Sequence, residues 1–173
     1  MPDISNNPDV VRLIRELNKL GAKAEFFREN NVYGYMIVLL KPALEQIVNK
    51  FNKTWKTDIA NVDFDKTDNT VIYILNFYDN YKIPDNKIKE IENFFLTHGI
   101  LAVASQIDLT KLHIILHITT YAKYIERKFV KRLNNSNVFF QYIGEKQALV
   151  IHIWTGKTPE KVKLLKEQDK KVK

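Results

Sequence analysis

The sequence predicts an antiparallel α+β fold, with helices on one face of one or more sheets. Three observations predict it. Apolar residues recur at helical spacing in five segments, pairs of runs rich in β-branched and aromatic residues lie between them, and no linker rich in Pro, Gly or Ser interrupts the series. The element order is therefore α(ββα)×4, a helix followed by four repeats of two strands and a helix.

The five predicted helices begin near residues 8, 42, 84, 119 and 159. Prolines stand at four of these starts, where the first helical turn needs no N–H donor. Gly21 and Gly99 follow the last apolar residues of the first and third helices, as glycines at helix C-termini do. The apolar stripe of the fourth helix is expected to consist of Ala122, Ile125, Phe129 and Leu133.

Four hairpins are predicted between the helices. Their paired strands are expected over 22–28 with 33–40, 59–65 with 70–78, 100–107 with 110–118, and 137–143 with 147–154. Turn-forming residues such as Asp68-Asn69 separate the two strands of a pair. A short fifth helix follows Pro159, and the chain after Glu167 is expected to be loose.

The spacing of the helices predicts an internal duplication, because alternate helices start about 76 residues apart. The predicted domains are two pseudo-repeats in one compact body, over 1–83 and 84–158, followed by a short C-terminal helix and Lys-rich tail over 159–173. Two parsings of the strands remain open. Residues 70–143 read as βαββαβ, a ferredoxin-like unit, or each repeat reads as αββαββ, with hairpins that form antiparallel saddles.

Charge is distributed unevenly along the chain. The net charge is +7, and residues 1–84 contribute none of it, with 11 basic and 11 acidic residues. Residues 85–173 hold 16 basic and 9 acidic residues, and an excess of this kind predicts an anionic partner.

Several classes of protein are excluded by composition. The absence of cysteine excludes a disulfide scaffold, a thiolate metal site and a cysteine nucleophile. The N-terminus lacks the basic and apolar regions of a signal peptide, and no apolar run approaches the roughly 18 residues of a membrane span. We therefore expect a soluble, intracellular protein that does not enter a membrane.

The strongest candidate site is the polar side of the fourth helix, where basic residues cluster around one tyrosine. The residues are Lys123, Tyr124, Arg127, Lys128, Lys131 and Arg132. A basic stripe can follow nucleic-acid phosphates, because each Lys or Arg neutralises a phosphate and releases counterions, and the tyrosine adds stacking. Lys163 and Lys166 of the C-terminal segment are expected to add phosphate contacts.

A second candidate site is the free face of a sheet, with Tyr73, His113 and His117 as a base-stacking surface. The segment Ile72-Tyr73-Ile74-Leu75-Asn76-Phe77 resembles the short hexamer signature of the RNA-recognition motif. That resemblance implies that Tyr73, at the second position, stacks a base. The longer octamer signature of that family should fall on 110–118, where its glycine and both aromatics are missing.

The αββαββ parsing resembles the core order of LAGLIDADG-type homing endonucleases, which bind DNA on saddle-shaped sheets. Their defining helix end carries a metal-binding acid. The corresponding ends here, Leu20-Gly21-Ala22-Lys23 and Thr97-His98-Gly99-Ile100, carry none. The resemblance therefore implies DNA binding without cleavage.

No pattern of catalytic or metal-binding residues stands out. His113 and His117 would be roughly 13 Å apart along one strand, too far to share an ion. The series Asp63, Asp65 and Asp68 lacks the glycine of a calcium loop. The sequence therefore predicts no metal, no cofactor and, on balance, no enzyme.

The expected function is non-catalytic binding of RNA or DNA. The alternative is a structural or regulatory subunit that docks a protein partner or a second copy, and the third hypothesis is the LAGLIDADG-like DNA binder.

Overall fold

A computed structural model describes residues 3–131 and 133–172. Its helices are α1 (Pro8–Lys19), α2 (Lys41–Trp55), α3 (Asp85–Thr97), α4 (Ile118–Ile125) and α5 (Glu160–Val172). Its strands are β1 (Lys23–Arg28), β2 (Tyr33–Leu39), β3 (Ala60–Asp65), β4 (Thr70–Asn76), β5 (Leu101–Asp108), β6 (Lys111–His117), β7 (Asn137–Ile143) and β8 (Ala148–Trp154). A π-helical segment, Glu126–Val130, follows α4. The predicted α+β fold class and element order are confirmed.

The ends of the helices follow local sequence signals. Asn7 caps α1 with its side-chain oxygen, which accepts the N–H of Asp9 at 2.8 Å, and Pro8 occupies the first turn. The extent of α5 differs from the prediction, because it continues through Val172 where a loose tail was expected. Lys, Leu, Glu and Gln, all good helix formers, dominate this segment. Within the described ranges, no helix combines the length and apolar character that crossing a membrane requires.

The strands form two four-stranded antiparallel sheets. Sheet 1 has the order β1-β2-β8-β7, and sheet 2 has the order β3-β4-β6-β5. In each sheet two hairpins meet through their inner strands. Tyr33 lies opposite Trp154 in sheet 1, and Thr70 lies opposite His117 in sheet 2.

The chain divides into two compact units. Unit 1 comprises 1–43 and 126–173 and contains sheet 1, and unit 2 comprises 44–125 and contains sheet 2. The boundary predicted after residue 83 falls inside unit 2, because the hairpins on either side of it pair with each other through β4 and β6. Sheet 1 combines the first and fourth hairpins, and sheet 2 combines the second and third, so each sheet draws on both predicted pseudo-repeats. Duplication of a 76-residue unit stays a prediction.

Each unit has its own apolar core against one face of its sheet. In unit 1 the buried face of the sheet and α1 supply Met36, Val38, Leu149, Ile151, Ile153, Val10, Leu13 and Leu17. In unit 2 the buried face and the helices supply Val71, Leu112, Ile114, Leu116, Phe51, Ile91 and Phe95. The ring centroids of Phe51 and Phe95 are 5.2 Å apart and nearly parallel. The opposite face of the sheet carries different kinds of side chain in the two units.

A glycine is required where α3 turns into β5. Gly99 has a φ of +89°, a region that side chains with a Cβ rarely adopt. A Cβ at this position would also overlap the ring of Tyr124. The predicted C-terminal glycine of the third helix is thus confirmed, and it has a packing role in addition.

Candidate nucleic-acid interface

The predicted basic helix changes its winding halfway along. The Lys131 N–H donates to the Glu126 carbonyl at 2.9 Å, a bond across five residues that defines a π turn. The extra residue that this turn contains displaces the apolar stripe by one position. Val130 is therefore fully buried, whereas Phe129, predicted for that stripe, is half-buried.

The basic residues of this segment remain on its outer side. Arg127, Lys128 and Lys131 are all exposed, as the sequence predicts. A cleft of about 260 Å³ lies beside them, and Arg12 and Glu16 of α1 contribute to its lining together with Lys128. Arg12 thus adds a cation that the sequence analysis did not select.

The other three residues of the predicted stripe are Lys123, Tyr124 and Arg132. Lys123 is exposed but belongs to unit 2. Tyr124 is half-buried, lies against Gly99 and stacks on Tyr121 at a centroid distance of 6.1 Å, so its proposed stacking role is not supported by its position. Arg132 lies outside the described residues.

The two lysines predicted in the C-terminal segment have different surroundings on α5. Lys163 is exposed and lies 3.4 Å from Glu160, one helical turn earlier. The ammonium of Lys166 lies above two rings, 5.7 Å from the centroid of Phe139 and 5.4 Å from that of Trp154. Lys161 lies 5.3 Å from the ring centroid of Tyr35. Cations therefore border the aromatic rings of sheet 1.

The two units differ in net charge. Unit 1 contains 18 Lys and Arg against 10 Asp and Glu, a net of +8, and unit 2 contains 9 against 10, a net of −1. The difference in net charge between the two folded units is therefore larger than the difference between the two halves of the sequence. The excess of positive charge therefore belongs to unit 1 alone.

Sheet 1 carries a row of four rings across all four strands. Phe27 lies opposite Tyr35, Tyr35 opposite His152, and His152 opposite Phe139. Directly paired residues of antiparallel strands project from the same face, so the four rings form a continuous row. Successive centroids are 5.4, 6.2 and 5.9 Å apart. We call this side of sheet 1 the aromatic face.

Burial along the row is greatest at His152, and Phe139 at the far end is half-buried. Phe27, on the edge strand β1, is 36% exposed, Tyr35 is half-buried, and His152 is 3% exposed. Helix α5 covers the neighbouring row, where Val162 packs against Tyr33 and Trp154. The Phe27 end of the aromatic face is therefore open to a ligand, and the opposite end lies under α5.

His152 is held neutral inside this face. Its Nε2–H donates to Oε1 of Gln141 at 3.1 Å, which leaves Nδ1 to accept from the Tyr33 hydroxyl at 2.8 Å. Burial, and then the nearby positive charge of Lys161, lowers the pKa of His152 to about 4, although Glu29 opposes the shift. At neutral pH the imidazole is therefore a positioning group for the rings and not a cation.

The predicted combination of Tyr73 with His113 and His117 is wrong. Tyr73 lies opposite Ile114, on the buried face of sheet 2, whereas His113 lies opposite Ile74 and His117 opposite Thr70. Tyr73 is only 6% exposed, and burial raises the pKa of its hydroxyl to about 12. The ring thus belongs to the core of unit 2.

The open face of sheet 2 is aliphatic. Besides the half-buried His113 and His117, it carries Ile72, Ile74, Leu101, Val103 and Ile115. Leu101 and Val103 are 45% and 43% exposed. On the edge strand β3, the carboxylates of Asp63 and Asp65 lie opposite Ile72 and Thr70. The rings that the described strands place on this face are therefore the imidazoles of His113 and His117, and Asp63 and Asp65 add negative charge to it.

No family model, curated protein or solved structure matches this chain. The resemblances to the RNA-recognition motif and to LAGLIDADG-type endonucleases therefore rest on the hexamer and on element order alone. In the part of the chain that is described, no three His, Asp or Glu side chains lie close enough together to hold a metal ion.

Four residues beside or within the aromatic face were not predicted as site residues: Phe27, Tyr35, His152 and Lys161. The alternation Tyr33-Gly34-Tyr35 indicates two rings on one face of a strand, which is a signal available in the sequence. Their alignment with Phe27 and His152 depends on pairing between β2 and β8, whose positions are more than a hundred residues apart. The row therefore becomes visible only in the folded sheet.

Proposed function

We propose that this protein binds nucleic acid through unit 1 without catalysing a reaction on it. The observation that supports the proposal most directly is the +8 charge of this unit beside the −1 charge of unit 2. If the excess of lysine served only to keep the protein in solution, it would not need to be concentrated in one folded unit. Concentration in one unit is instead typical of a surface that binds a polyanion.

Two groups of cations in unit 1 are suited to phosphates. The first consists of Arg127, Lys128 and Lys131 on the π-helical segment and directly after it. The second consists of the lysines of α5, including Lys161 and Lys163. Exposed ammonium and guanidinium groups bind phosphate oxygens with little loss of hydration, so each contact adds a salt-dependent increment of affinity.

The test is a charge reversal with a matched control in unit 2. The variant Arg127→Glu/Lys128→Glu/Lys131→Glu is compared with Lys50→Glu/Lys53→Glu/Lys89→Glu, three exposed lysines whose reversal changes the net charge by the same amount. Binding to labelled oligonucleotides of roughly 15–20 nucleotides is followed by fluorescence anisotropy at several KCl concentrations. We expect affinity to fall at least about tenfold near 0.1 M salt, and the salt slope to fall by about 3, in the unit 1 variant alone.

Equal losses in both variants would contradict the proposal, because they would show dependence on total charge and not on unit 1. Unchanged affinity in the unit 1 variant would contradict it as well.

The aliphatic face of sheet 2 favours a second candidate function, docking of a protein surface. Exposed aliphatic side chains on a continuous sheet face are typical of protein interfaces. A second copy of the chain is the partner that purified protein can test. Sedimentation velocity should show self-association that Val103→Lys abolishes, and a monomer at all concentrations excludes the second copy as that partner.

A further inference from the structure

We infer that the aromatic face of unit 1 binds single-stranded nucleic acid, with bases stacked at the open end formed by the rings of Phe27 and Tyr35. This inference rests on the proposed function and specifies its ligand. It follows from the position of the two rings, from the cations that border them and from the contrast with sheet 2.

The rings of Phe27 and Tyr35 form the open end of the row. Their centroids are 5.4 Å apart and their planes differ by 23°, so they already stack on each other. Phe27 belongs to the edge strand β1, where no further strand covers its outer side. A base that stacks on Phe27 extends the row by one ring and buries apolar area that is now exposed.

The rings are held in place by contacts within the sheet. Tyr35 lies against His152, and His152 is fixed by hydrogen bonds to Tyr33 and Gln141. The platform is therefore ordered before the ligand binds, which lowers the entropic cost of association.

A cation that can bind a phosphate, Lys161, lies next to the rings. The ammonium of Lys161 lies 5.3 Å from the centroid of Tyr35 and 3.0 Å from the Glu29 carboxylate. Both members of that ion pair are about half exposed, and exposed pairs of this kind are weak because water screens them. A phosphate can therefore replace Glu29 at small cost.

Single strands fit this surface better than duplexes do. A base presents its π face to a protein ring only when it is unstacked from its neighbours, as in single-stranded RNA or DNA. Bases inside a duplex expose edges, so a duplex can use only the cations of unit 1. On the aliphatic face of sheet 2 the described strands place the half-buried imidazoles of His113 and His117 but no Phe, Tyr or Trp ring, and Asp63 and Asp65 there repel phosphates.

The experiment compares a single strand and a duplex of the same sequence on variants of the full chain. Phe27→Leu keeps apolar volume but removes the π face, Tyr35→Ala removes the second ring, and Tyr35→Phe keeps it. Tyr78→Ala, which removes a fully exposed ring from unit 2, is the matched control. Retained circular dichroism and Trp154 fluorescence identify the variants that are folded.

For the single strand, we expect Phe27→Leu and Tyr35→Ala each to lose about 5- to 100-fold in affinity, with an unchanged salt slope, because no charge is removed. Tyr35→Phe keeps the ring and should bind the single strand more tightly than Tyr35→Ala does. Tyr78→Ala should stay within about twofold of the wild type, and duplex binding should hardly change in any of the variants.

The outcomes distinguish this inference from the proposed function. If the charge-reversal variant of unit 1 loses binding while Phe27→Leu and Tyr35→Ala do not, the protein binds phosphates without stacking, and only the inference fails. A wild-type preference for duplex over single strand also overturns it. If the wild-type chain binds neither form, the proposed function fails together with the inference.

Discussion

Acid should destabilise unit 1 through His152, because this residue must accept a proton when the unit unfolds. In the folded unit its pKa is about 4, and in the unfolded chain it returns to about 6.5. Above pH 6.5 the imidazole is neutral in both states, so the stability it confers is fully present. As the pH falls from 6.5 to 4, the unfolded state binds the proton first, and stability is lost.

The size of the effect follows from the difference between the two pKa values. A difference of about 2.5 units corresponds to about 3 kcal/mol once both states are protonated. At pH 5 the same relation gives a loss of about 2 kcal/mol, before most carboxylates begin to titrate. Desolvation of this side chain, which is 3% exposed, is the main cause of the difference.

The assay measures urea unfolding at pH 7.5 and pH 5.0 for the wild type and for His152→Gln. A Trp55→Phe background leaves Trp154, which lies in sheet 1, as the only tryptophan and thus as a reporter of unit 1. Gln cannot titrate but can bond to Tyr33. We expect the wild type to lose about 2 kcal/mol more than the variant between the two pH values, because all other titrations are shared.

The control is His113→Gln, a half-buried histidine on the aliphatic face of sheet 2. Because it belongs to unit 2, its substitution should leave the acid dependence that Trp154 reports for unit 1 as in the wild type. Equal losses of stability in the wild type and in His152→Gln would refute the reasoning, because the buried imidazole would then not be the group that takes up the proton.

Two further predictions concern packing. Gly99→Ala should destabilise unit 2 by about 2–4 kcal/mol, because the new Cβ combines a positive φ with overlap on the Tyr124 ring. Gly156→Ala has a similar φ but no atom within 4 Å, so thermal unfolding should register only the strain, about 1 kcal/mol. In α5, Val162→Ala should cost about 2 kcal/mol by opening a cavity beside Tyr33 and Trp154, whereas the exposed Leu164→Ala should stay within about 0.5 kcal/mol in urea titrations. Equal effects within either pair would contradict the packing that we describe.

The elements of the fold could be predicted because their signals are local. α1 begins at Pro8 after an Asn cap, and α3 ends before Gly99, where the chain needs a positive φ. The hairpins follow from short turns between β-rich runs. Periodicity does not indicate which hairpins combine, so the pairing of β2 with β8 and the two units had to come from the structure.

The candidate site was predictable only in part, for a related reason. The cations at 127, 128 and 131 are exposed as expected, since charged side chains avoid the core whatever the tertiary arrangement. Tyr73 lies in the run Val71–Leu75, which is apolar at every position, so alternation cannot indicate which side faces the core. Only the register with β6 assigns Tyr73 to the buried side.

The sequence by itself determined the elements, their order and the sign of the charge, because helical period, turn residues and ionisable groups act over a few neighbouring positions. The tertiary structure decided where that charge collects and which rings meet. Strand register brings Phe27, Tyr35, His152 and Phe139 into one row, and long-range pairing gathers the basic residues of both chain ends into unit 1. Both results depend on contacts between distant segments, which are selected by packing of the whole chain and not by any local signal.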